Sequence, residues 1–126
     1  MKNTNINHLN NLQNEVLRGL AFYNDELRIV QERLEEIASD NTHREVMEGV
    51  EHFQNQLMIQ RNNIDELKHE VNVYLDRLKE QLTNSPDFAG ETLATANTAL
   101  YNKYIEVEKT INALRQEFNR FAAKWM

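Results

Sequence analysis

The stretch LYNKYIEVEKTINALRQEFNRFAAKW, residues 100–125, decides the architecture. Its apolar residues Leu100, Tyr104, Val107, Ile111, Leu114, Phe118, Phe121 and Trp125 follow one another at alternating steps of four and three. That beat averages about 3.5 residues, close to one helical turn, so the side chains collect in a single stripe. An apolar stripe of this length is stable only where other helices cover it.

Two earlier segments keep the same beat. The spacing predicts a first helix over 5–38, with a seam of Leu9, Val16, Tyr23, Val30 and Ile37 beside Leu20, Leu27 and Leu34. Leu12 and Leu17 widen that seam, as contact with two neighbours requires. Ser39-Asp40-Asn41-Thr42 is rich in turn formers, and Thr42 with Glu45 has capping-box spacing. A second helix is therefore expected over 42–83, its columns formed by Val50, Leu57, Ile64, Val71 and Leu78 and by Val46, Phe53, Leu67 and Tyr74.

Gln60 is the polar exception in the middle of this seam. Gln60-Arg61-Asn62-Asn63 also reads as a turn, which would break the helix and give a four-helix bundle. A turn resets heptad phase, however, and Leu57 to Ile64 keeps it, which favours one continuous helix about 60 Å long. Thr83-Asn84-Ser85-Pro86-Asp87 ends it, since proline cannot continue a helix but suits the first position of the next. The third helix is expected over 91–126, opening with the small-residue run ETLATANTAL, which would allow close helix approach.

Short connections make successive helices antiparallel, so the expected fold is all-α: an up-down-up, coiled-coil-like three-helix bundle forming one domain over 1–126. Counting from the turns sets residues near 20 opposite those near 60, and residues near 71 opposite those near 104. On this register the first helix starts too late to cover the far end. Leu78, Leu82, Phe88, Leu93 and Ala96 would form an exposed apolar tip, the expected site of dimerisation or of contact with another helical protein. Gly19, costly inside a helix, would sit near Ala113. Gln60, Gln13 and Gln81 are candidates for a buried polar layer that fixes register, and His43 for packing over the bundle end.

The residue content narrows the function classes. Without cysteine there are neither disulfides nor thiolate metal sites, and Ser39 and Ser85 stand at expected helix ends rather than in a nucleophile motif. No glycine-rich phosphate loop occurs. The net charge is −6, with an excess of three acidic groups in 1–40, three in 41–83 and none in 84–126. No basic stripe exists to displace counterions from phosphate, which disfavours nucleic acid and anionic membrane surfaces as partners. No apolar run is long enough for a membrane span, and the polar opening MKNTNINHLNNLQN lacks a signal-peptide core, so the cytoplasm is the expected location.

Glu66 and His69 form a Glu-x-x-His step, the spacing by which ferritin-like bundles set two metal ligands on one face. The step occurs once here, and the heptad frame turns it away from the seam. His52, Glu66 and His69 are thus the metal candidates of an alternative reading. The leading reading is a non-enzymatic, self-associating interaction module without a cofactor. The segments Glu51-His52-Phe53-Gln54-Asn55-Gln56, Ile64-Asp65-Glu66-Leu67-Lys68-His69-Glu70 and Leu20-Ala21-Phe22-Tyr23 resemble a family of small all-helical bacterial proteins of unknown function. That resemblance implies a helical fold and carries no activity with it.

Overall fold

A computed structural model describes residues 6–84 and 90–126 of the chain. They form α1 (Ile6–Asp40), α2 (Arg44–Asn84) and α3 (Glu91–Trp125), an all-α, antiparallel three-helix bundle. α2 is unbroken through Gln60-Arg61-Asn62-Asn63, which removes the four-helix alternative. Its start comes later than the capping-box spacing suggested. The His43 carbonyl accepts the Met47 N–H at 3.1 Å, so His43 rather than Thr42 is the cap, and its exposure rules out lid packing. The Gly90 carbonyl plays the corresponding part for α3, accepting from the N–H groups of Leu93 and Ala94 at 3.0 and 3.2 Å.

The chain divides into two compact units, each containing a part of all three helices. The first comprises Met1–Ala21 and Asp65–Glu106, the second Phe22–Ile64 and Val107–Met126. In the first, Ile6, Leu9, Val16 and Leu20 of α1 are buried with Leu67, Val71, Tyr74 and Leu78 of α2 and Leu93 and Leu100 of α3. In the second, Leu27, Val30, Leu34 and Ile37 of α1 are buried with Val46, Val50, Phe53 and Leu57 of α2 and Ile111, Leu114 and Phe118 of α3. Each fully buried leucine or phenylalanine contributes roughly 1.5–3 kcal/mol through lost water contact, which makes these seams the main source of stability.

Both interior glycines receive an aromatic side chain from α3. A Cβ on Gly19 would collide with the Tyr104 hydroxyl, and one on Gly49 would lie 2.9 Å from Cζ of Phe121. The hydrogen at these positions is therefore the hole into which the ring fits, offsetting the poor helix propensity of glycine. Gly19 thus faces Tyr104 and not Ala113, which is exposed. The count from the turns had slid α3 too far along α1.

Candidate functional site

The proposed apolar tip is largely closed. Leu78 is 1% and Leu93 7% exposed, leaving Leu82 at 45%, while Phe88 lies outside the described residues. The cause is the reach of α1. Ile6 and Leu9 are buried, and the Leu9 carbonyl accepts the Asn97 amide at 3.2 Å, so α1 already runs alongside the beginning of α3.

That amide belongs to a polar cluster in the centre of the first unit. The Asn97 Nδ2 also donates to Tyr74 Oη at 3.0 Å, and Tyr74 Oη donates to the Leu93 carbonyl at 2.8 Å. Gln13 Nε2 donates to the Asn97 carbonyl at 3.1 Å. Burial raises the Tyr74 pKa, opposed by the Asn97 hydrogen bond and the positive charge of Arg77. All three helices are tied at one level, which fixes their register. Gln13 and Gln60 are buried as anticipated, but Gln81 is only half-buried, and the actual partner of Gln13 is Asn97. Asn97 escaped the sequence reading because it is polar: the four-three beat carried back from Leu100 reaches 97 and then Leu93, but only apolar residues were counted along it.

The metal candidates are not gathered. His52 Nε2 lies 3.2 Å from Glu117 Oε2 on α3, an exposed cross-helix pair, while Glu66 and His69 are exposed on α2. Among the described residues no group of three or more His, Asp or Glu side chains is placed to hold a metal ion.

What the first unit does present is a groove of about 440 Å³ between the outer faces of α2 and α3. Since Val71, Tyr74 and Leu78 turn inward, Val73 must turn outward, and this valine is 46% exposed. Opposite it α3 offers Ala96 and Ala99, whose short side chains raise no ridge, with Leu100 beneath. The floor is therefore apolar. His69, Arg77 and Lys103 stand on the rim, and Lys103 Nζ holds Glu70 Oε1 at 2.8 Å. Arg77 has no ion pair or hydrogen bond among the described residues. A hollow of about 530 Å³ in the second unit, near Ala38 and Met47, differs on this point, because its Arg44 and Glu48 pair with each other at 3.3 Å. The first-unit groove sets an apolar floor beside a guanidinium that has no ion pair among the described residues, an arrangement suited to holding an apolar surface that carries a carboxylate. Arg77 also borders a smaller hollow with Glu80, Gln81 and Leu93. Comparison with family models, curated proteins and solved structures finds no match for this chain, so the reading of the groove rests on its own geometry.

Proposed function

We propose that the protein is a non-enzymatic helical interaction module that associates with itself. The observation that carries this reading is the α2–α3 groove, where Val73, Ala96 and Ala99 line an open apolar floor beside Arg77, which has no ion pair among the described residues. A helix face normally places polar side chains at such outward positions. Val73 instead offers a β-branched apolar group to whatever lies above it, and the alanines let a partner backbone come close. The net charge of −6 sets a limit on partners: an interface must keep acidic faces apart or match them with cations, and here the cations are Arg77 and Lys103, the latter already held by Glu70.

Sedimentation equilibrium of the full chain over a wide concentration range tests the reading. The expected result is a reversible dimer whose dissociation constant rises with salt, since charged rims are screened. A monomer at every concentration would remove self-association.

A further inference from the structure

Resting on that reading, we propose that the groove is the dimer interface, occupied by α2 of a second copy running antiparallel about a two-fold axis between Val73 and Tyr74. The argument begins with the charges on this face. Glu70 and Arg77 lie seven residues apart on α2, about two turns or roughly 10 Å, with Val73 between them. A two-fold axis at Val73–Tyr74 exchanges the two positions, bringing Glu70 of the second copy to Arg77 and Arg77 of the second copy to Glu70. A single geometry thus gives the Arg77 guanidinium, without an ion pair among the described residues, a carboxylate twice over, as an isologous interface requires.

The same operation brings the two Val73 side chains together at the axis, above the small residues Ala96 and Ala99. Lys103, already bound to Glu70 at 2.8 Å, then joins a Lys–Glu–Arg cluster shared by the two copies. A foreign acidic helix fits less well, because it would satisfy Arg77 and Lys103 but meet Glu70 as a like charge. The face carries both signs at the spacing that its own reversal matches, and this selects a second copy over an unrelated partner.

Charge reversal supplies a test specific to the register. Arg77→Glu and Glu70→Arg are each expected to weaken the wild-type dimer roughly tenfold or more, since two ion pairs per dimer become two repulsions. Mixed in equal amounts, the two variants should form a heterodimer, because each acidic pair then faces a basic one. Val73→Glu should yield a folded monomer, its helicity and melting midpoint confirming that the chain is intact. A wild-type dimer insensitive to Val73→Glu would place the interface elsewhere, overturning this inference while leaving self-association standing. Failure of the mixture to associate, with both single variants weakened, would overturn the antiparallel register. A wild-type monomer would overturn this inference and the proposed function together.

Discussion

The first unit ties its three helices through a phenol and two amides, whereas the second packs phenyl rings across them and buries Gln60 and Tyr23 besides, although both follow one heptad rule on the same three helices. In the first, Gln13, Tyr74 and Asn97 are 0%, 3% and 2% exposed and joined by hydrogen bonds across α1, α2 and α3. In the second, Phe53 meets Phe118 edge to face with centroids 5.4 Å apart and Phe121 at 5.1 Å, while the Arg33 guanidinium lies 5.4 Å from the Phe118 centroid. The two centres hold position by different means. Apolar rings supply more stabilisation per residue and fix position by shape, as where Phe121 fits over Gly49. Directional hydrogen bonds supply less and accept only one register.

The largest effect should therefore come from the ring cluster. Phe118 is fully buried, and Phe118→Ala is expected to cost about 3–5 kcal/mol, read from urea unfolding. Asn97→Ala removes two hydrogen bonds, and roughly 1–3 kcal/mol is expected. Asn97→Leu refills the volume without the bonds and should recover part of that loss. Equal costs for Phe118→Ala and Asn97→Ala would break the contrast between the two centres. Hydrogen exchange would sharpen it: the asparagine variants should speed exchange in residues of the first unit, and Phe118→Ala in those of the second.

The comparison also explains what the sequence discloses. The second unit is the more legible, because Phe53, Phe118 and the aliphatic columns around them obey the apolar beat, although Val107, Phe121 and Trp125 on that beat are only half-buried and Ala122 off it is buried. The continuity of α2 is legible for the same reason, through the preserved phase from Leu57 to Ile64. The first unit is legible only in outline. Asn97 is polar, so a reading based on apolar periodicity passes over it, yet it sets the level at which α1 meets α3. Missing it left the register free to slide, and the slide misplaced Gly19 and exposed Leu78 and Leu93 on paper. The groove was hidden in another way. Small residues around Ala96 pointed to close helix approach, but composition does not say whether the approaching helix belongs to the same chain. Val73 and Arg77 acquire meaning only once α3 is beside them.

The smallest effects concern the two buried tyrosines, one in each unit, of which only Tyr23 has a carboxylate neighbour that raises its pKa. Burial is the first cause in both, holding each phenol above its ordinary pKa. Tyr23 donates to the Glu108 carboxylate at 2.9 Å, which raises its pKa further against the lowering by Asn112 and Arg115, whereas the neighbours of Tyr74, Asn97 and Arg77, only pull its pKa back down. A raised folded-state value favours the neutral phenol, so this stabilisation is complete below the unfolded value of about 10 and is lost as pH climbs through the folded value. The melting midpoint should thus fall on the alkaline side, less steeply in Tyr74→Phe and Tyr23→Phe, which have no phenolic proton to lose. Neighbour substitutions should then move the two phenols apart: Glu108→Gln should lower the Tyr23 pKa, and Asn97→Ala should raise that of Tyr74, followed by phenolate absorbance. A downward shift of Tyr74 in Asn97→Ala would mean that the amide stabilises the neutral phenol instead. The two polar contacts would then be equivalent, and the distinction drawn between the units would rest on the aromatic rings alone.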